Sequence, residues 1–384
     1  MKLGTGDYTV TLSEWSGRVI WQSVQTGFQS VQWGRERNET TKATLQAAIR
    51  PKVAHMLEPW VHLMTIYRGE TLVWHGIVLE VEVTAQGTHV TAADGSVFFK
   101  YRRVPHNRVW RQHDATQVMR TMVEDALGFA DATRIVRSIT AKDSRIWVTA
   151  GWTAAECMVG EVVSHLEKMG MVWTVHAGRL LIGPVMAEIT TPQITDSVFD
   201  GAFSVVKDGT EVTTDALVVG KGVWGQYDVQ DTPVGLVQSI DKADGLARVE
   251  ECQQQAKRLV EDAKAAPRRI VVSSGARLLP HAPVGINQLV PGIRMPMSTS
   301  QTGVTVGSTM QLTKMHVTVD DGGEKVAITV EETNTSDVVA AMPDPAELDW
   351  RSPYERELAK KAHTASGSGA TDYEDQDEVA TPPA

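Results

Sequence analysis

PWVHLMTIYRGETLVWHGIVLEVEVTAQGTHVTAADGSVFFKYRRV, from Pro59 to Val104, is the stretch that decides the fold. Three strand-like runs are joined by two short turns, Arg68-Gly69-Glu70-Thr71 and Ala85-Gln86-Gly87-Thr88. In the middle run Ile77, Leu79, Val81 and Val83 alternate with Val78, Glu80, Glu82 and Thr84. A period of two residues belongs to an extended strand whose side chains divide between two faces. The pattern therefore predicts a half-buried antiparallel sheet with one wet face.

Upstream, short strands are expected at Asp7–Leu12, Arg18–Gln22, Ser30–Trp33 and Ala43–Ile49, with GRERNETTK (34–42) as a polar turn. Together these make a first β domain over 1–105, a barrel or sandwich by strand density. After Pro105 the texture changes. Asp114 can cap a helix with an apolar stripe of Val118, Met122, Val123, Ala126 and Leu127, stopped by Gly128. Thr153-Ala154-Ala155-Glu156 reads as a capping box for a second helix with Met158, Val162, Leu166 and Met169 inward. A hairpin turning at His176-Ala177-Gly178-Arg179 completes a small α+β domain over 106–186. Strands return at Phe203–Val206 and Asp215–Val219, followed by a long helix over 243–265. Its expected inward residues are Leu246, Val249, Ala256, Leu259, Val260 and Ala263. A last hairpin, MQLTKMHVTVDDGGEKVAITVEE (310–332), sets Val317 and Val319 against Val326, Ile328 and Val330. It repeats the logic of the first and closes a second β-rich domain over 187–342. The remainder, 343–384, reads as a short helix and then an acidic tail. SGSGATDYEDQDEVATPPA (366–384) has five acidic and no basic side chains, a composition that predicts disorder. The fold class expected is β-rich α+β: two β-barrel or sandwich domains flanking a small α+β domain.

Hydrophobic residues are 42% and charged residues 22% of 384, enough to bury real cores. The net charge of −10, with basic residues only in pairs such as Arg102-Arg103, argues against nucleic acid as the main partner. Cys157 and Cys252, both expected inside helices, lack the spacing of a zinc site or disulfide framework. MKLGTGDYTVTL has no apolar h-region, so no signal peptide is expected. No apolar run reaches the ~18 residues that span a bilayer.

Chemical motifs are sparse. Gly220-Lys221-Gly222-Val223-Trp224-Gly225 spells GxGxxG after a strand, but the following residues, through Pro233, are not a helix. A pyrophosphate site needs that helix N-terminus, so a glycine-rich turn is expected. His62 and His75 fall on adjacent strands, where a metal pair competes with plain strand histidines. Glu80 and Glu82 share a face, as a carboxylate pair or a solvated surface. No nucleophile elbow occurs, and Cys157 has only His165 nearby, off its helical face. No catalytic residue, cofactor or metal is expected. Tryptophan is in excess, eleven against six Phe and six Tyr. Such residues serve as core packing, interface anchors or sugar platforms. The residues singled out as interface candidates are Trp33, Trp60, Tyr67, Trp74 and Trp224.

The string Leu57–Val83 resembles the minor tail proteins of long-tailed actinobacterial phages. The matching residues are Asn38-Glu39-Thr40, Tyr67-Arg68-Gly69-Glu70 and Val73-Trp74-His75-Gly76-Ile77-Val78. Val218-Val219-Gly220-Lys221-Gly222 and DDGGEKVAITVEE (320–332) add to the likeness, whose order covers about 1–335. The resemblance implies the siphophage tail-tip baseplate hub family: a homotrimer in the virion, made in the host cytoplasm. It implies two tube-like β domains per chain, a pseudo-sixfold ring joining a sixfold tube to a threefold tip. The partners implied are the distal tail protein, the tape measure protein and other minor tail proteins, with DNA passing through the lumen unbound. Two other readings are a carbohydrate-binding host-recognition protein and a tail-associated cell-wall hydrolase. The resemblance implies that many such hubs carry long C-terminal extensions with adhesins or hydrolases, and the short acidic segment here speaks against a lytic or receptor-binding role.

Overall fold

A computed structural model describes residues 3–128, 136–184, 194–200, 203–207, 209–210, 212–229, 233–243, 246–264, 268–272, 277–299 and 306–332. The tail and helix expected over 343–384 lie outside these residues. The first block contains β1 (Tyr8–Glu14), β2 (Val19–Val24), β3 (Ser30–Glu36), β4 (Lys42–Ala47), β5 (His62–Arg68), β6 (Thr71–Thr84) and β7 (Gly87–Asp94). Two single-turn helices accompany them, α1 (Pro51–Ala54) and α2 (Phe98–Tyr101). The middle segment carries β8 (Arg108–Asp114), α3 (Ala115–Gly128), β9 (Ser138–Ala141), β10 (Trp147–Trp152), α4 (Val159–Lys168), β11 (Trp173–His176) and β12 (Arg179–Ile182). Then come β13 (Ile194–Thr195), β14 (Phe199–Asp200), β15 (Phe203–Lys207), β16 (Asp215–Val219), β17 (Trp224–Asp228), β18 (Gln238–Lys242) and α5 (Val249–Ala263). The last strands are β19 (Arg268–Val272), β20 (Arg277–Leu278), β21 (Arg294–Thr299), β22 (Val306–Asp320) and β23 (Gly323–Glu332).

The two β-rich stretches join in one sheet. Its order is β15-β19-β23-β22-β3-β4-β7-β6-β5-β1-β2, with β21 and β13 branching from β22. The seam is β22 against β3, from Lys314 opposite Glu36 to Val319 opposite Val31. A side chain on Gly34 would meet the Met315 carbonyl at 2.7 Å, so the seam needs glycine there. Arg68 ends β5 and Glu324 is the second residue of β23, six strand-to-strand steps apart. A flat sheet at ~4.8 Å per step would separate them by roughly 29 Å. Their side chains meet at 2.6 Å. The sheet is therefore rolled around one core shared by Tyr8, Leu12, Trp33, Ile66, Val317 and Val326.

The quoted stretch departs from its simple reading. Val73 to Val78 on β6 is buried on both faces. Val78 faces the rolled core, while Ile77 packs on a second core with α3 and α4. The wet face begins only at Glu80. A bulge between Val78 and Glu80 then reverses the alternation. Leu79 packs with Ile77, and Val81 changes sides to join Val78. An extra residue in one strand shifts every later side chain to the opposite face.

The middle segment closes over that outer face. Asp114 caps α3 by accepting from Thr116 N at 2.8 Å, and the expected stripe is buried. The second helix starts later than expected, at Val159, where Glu161 accepts from Met158 N. Thr153 and Glu156 form a turn instead, which leaves Cys157 just before the helix. In α5 it is Cys252 that faces inward, whereas Val249 is exposed.

β11 docks beside the end of β3: Asn38 exchanges bonds with Trp173, and Thr174 Oγ1 donates to the Glu36 carbonyl. At this seam burial, and then the charges of Arg35 and Arg179, push His176 down to about 3. The unfolded chain takes up the proton near its ordinary ~6.5, so stability held above that pH is lost as pH falls toward 3. At pH 4.5 the loss from this group reaches roughly 3 kcal/mol, two pH units at 1.36 kcal/mol each. Denaturant titrations at pH 7 and 4.5 should show that His176→Gln destabilises less on acidification than the parent. Equal acid losses in both would exclude the effect.

Candidate assembly surfaces

The five tryptophan and tyrosine candidates separate by burial. Trp33 and Trp74 are core residues, at 0% and 3% exposure, and so are not surface anchors. Both belong to the core of the rolled sheet: Trp33 carries the Arg35 guanidinium 5.1 Å from its ring, and Trp74, on the doubly covered part of β6, donates to Thr41 Oγ1. Tyr67 is half-buried on β5, opposite Thr9 of β1. Trp60 and Trp224 reach the surface, in two different places.

Trp60 sits in an aromatic corner just before β5. Its φ is +64°, a conformation that is an outlier for so bulky a residue. Strain of this kind costs about 1–3 kcal/mol and persists only where the surroundings impose it. Here Trp60 N donates to the Val78 carbonyl at 2.8 Å, and Trp15 Nε1 donates to the Trp60 carbonyl at 3.3 Å. The ring stands edge-on to Tyr101 at 4.9 Å and to Phe98 at 5.9 Å. Met56, Val61 and Tyr101 around it are exposed.

Trp224 lies on the three-stranded sheet β17-β16-β18. One face, with Ala216 and Val218, packs on Cys252, Ala256 and Val260 of α5. Gly225 lets the helix in, because a Cβ there would meet Gln253 N at 2.4 Å. Gly220 and Val223 close the β16–β17 hairpin with a 2.8 Å backbone bond, so the GxGxxG string is a turn. The opposite face places Trp224 beside Val219 and Lys242, and Gln226 beside Leu217 and Ile240. Trp224 is 61% and Ile240 69% exposed, leaving an apolar sheet face open among the described residues.

The sheet also has two terminal strands. Among the described residues β2 pairs only with β1, and β15 only with β19. Val19 and Val24 on β2 are half exposed. Such an edge offers main-chain donors and acceptors to another strand. A groove of about 590 Å³ opens between the β8–β10 ribbon and the start of α5, lined by Val109, Trp110, Arg111, Thr149, Arg248 and Glu251.

The remaining chemical candidates stay apart. His62 Nδ1 accepts from Glu58 N, whereas His75 bonds Thr65 Oγ1 on the neighbouring strand. Glu80 and Glu82 are solvated. Burial pushes the thiols of Cys157 and Cys252 up, away from the reactive thiolate. Among the described residues no group of three or more His, Cys, Asp or Glu is placed to hold a metal ion, and no helix is long and apolar enough to cross a membrane.

No family model and no curated protein matches this sequence. Solved structures do match the fold. The 43 kDa tail protein of prophage MuSo2 from Shewanella oneidensis superposes with a TM-score of 0.58 at 12% identity, over 84% of this chain and 98% of that one. The two chains share a fold. A tail protein from Neisseria meningitidis matches at 0.55 and 11% identity, over 85% and 96% of the two chains. A prophage tail protein from Listeria monocytogenes matches at 0.51 and 12%, over 89% and 98%.

Proposed function

We propose that this chain is a structural protein of a phage tail, the trimeric hub at the tail tip of a siphophage. The observation that carries the reading is the match along nearly the full length of tail proteins from three bacteria. In this reading each chain contributes two β modules, 1–105 and 187–342, which share one rolled sheet across the β3–β22 seam. Three chains offer six modules, a number that meets a sixfold tube on one side and a threefold tip on the other. The terminal strands β2 and β15 and the open face around Trp224 and Ile240 are the surfaces through which copies meet. The distal tail protein and the tape measure protein are its neighbours, and DNA passes through the lumen without specific contacts. The work is mechanical closure and symmetry matching, not catalysis.

Mass photometry tests this directly. The parent protein should run as three chains of 41.9 kDa. Trp224→Asp with Ile240→Asp should shift it to the monomer without changing its circular dichroism, because both side chains are exposed in the single chain. A parent that stays monomeric at micromolar concentration and is absent from tail tips in particle images would remove the hub reading.

A further inference from the structure

The aromatic corner at Trp60 carries an unusual charge for this molecule. Lys100 Nζ lies 5.6 Å from the Tyr101 ring centroid, and the Arg102 guanidinium lies 5.2 Å from that of Phe98. Arg103 follows and is exposed. Among the described residues none of these three cations has a carboxylate within ion-pair distance, whereas Arg18, Arg68 and Arg108 each hold one. On a chain of net charge −10 this is a local positive surface, set around the exposed rings of Trp60 and Tyr101, with the Trp60 backbone under strain. Acidic side chains stand near its rim: Glu58 beside Trp60, Glu14 opposite His62 and already paired with Arg18, and Glu156 and Glu161 on either side of the Arg103–Met158 bridge. An occupant that fits would bring several carboxylates for the cations and an aromatic side chain for the rings.

The chain itself supplies such a segment. Residues 371–378, Thr-Asp-Tyr-Glu-Asp-Gln-Asp-Glu, hold five carboxylates around Tyr373 and no basic group. Thirty-nine residues separate Glu332, where β23 ends, from Asp372. A chain of that length spans up to ~130 Å, so reach does not limit the contact. We propose that the acidic segment 371–378 docks on the Lys100–Arg103 aromatic corner of its own chain and covers Trp60 and Tyr101. Opposite charges select the segment, and Tyr373 extends the edge-on ring cluster. The proposal goes beyond the hub reading and does not depend on the oligomeric state.

Hydrogen exchange on the full-length protein tests it. Three proteins are compared: the parent, a variant with the five acids of 372–378 changed to Asn or Gln, and Lys100→Glu with Arg103→Glu. In the parent, amides of 56–62 and 98–104 should exchange several-fold more slowly than in either variant, while the β3–β22 seam exchanges equally in all three. The difference should shrink at roughly 0.5 M salt, where surface charges are screened. It should be independent of protein concentration. Adding Asp372→Lys, Glu374→Lys and Asp375→Lys to the charge-reversed corner should restore protection. Equal exchange at 98–104 in parent and tail variant would overturn the proposal, as would protection that appears only with rising concentration, the mark of another copy's tail.

Discussion

Glu324→Ala should lower the unfolding free energy by about 3–5 kcal/mol, the cost of leaving one partner of a buried ion pair without its counter-charge. Glu324 is fully enclosed and accepts from Arg68 Nε at 2.6 Å, from Arg68 Nη2 at 3.1 Å and from Gly4 N at 2.9 Å. Removing it strands a guanidinium beneath the lead into β1, where the passage is tight. A Cβ on Gly6 would stand 2.3 Å from Arg68 Nε. Tyr8 lies in the same cluster, and burial together with the Glu324 charge raises its hydroxyl well above the usual phenol range. Because the pair bridges six strand steps, its loss should loosen the roll of the sheet as well as one contact. Arg68→Met with Glu324→Leu should recover most of the stability, since a buried pair exchanged for apolar groups is near neutral. Denaturant midpoints of the two singles and the double measure this. A single variant within about 1 kcal/mol of the parent would show that the bridge does not close the sheet.

Much of the strand placement was legible, because alternation is a local signal. Asp215–Val219 falls where its residues predicted, and the DDGG turn joins β22 to β23 with Val317 opposite Val326. The β11–β12 turn reads from its residues too: Ala177 and Gly178 both take positive φ, as a two-residue hairpin requires. What escaped was non-local. Nothing in the final hairpin announces that it pairs with residues nearly three hundred positions earlier. The bulge after Val78 is equally silent, since Val78-Leu79-Glu80 alternates acceptably in either phase. Covering both faces of β6 explains why Trp74 is core and not surface. Of the five assembly candidates Trp60 and Trp224 are exposed in the single chain, and the strain at Trp60 has no sequence signature.

The largest misreading concerns Arg35. Within GRERNETTK a charged residue reads as turn, yet β3 continues to Glu36 and Arg35 is among the most enclosed side chains of the chain. Its guanidinium donates from Nη1 to the carbonyls of Ile286 and Leu289 at 2.9 and 3.1 Å, and from Nη2 to that of Val73 at 3.2 Å. Burial holds its pKa down at about 9, still above neutral, so the group stays charged and the three carbonyls answer that charge. These bonds tie β3 and β6 to the 285–289 segment, three stretches that no ladder joins directly. Arg35→Met keeps most of the volume but leaves all three acceptors without a donor. Each orphaned acceptor costs about 1–3 kcal/mol, so a loss of roughly 3–5 kcal/mol is expected after local relaxation. Arg35→Lys should recover only part of it, because a single ammonium lacks the planar fork that reaches both sides. Hydrogen exchange locates the damage: amides around 285–290 should open well before those of the β1–β5 pair. Uniform opening of the whole sheet, or a Lys variant as stable as the parent, would mean that charge alone and not the fork holds the segment in place.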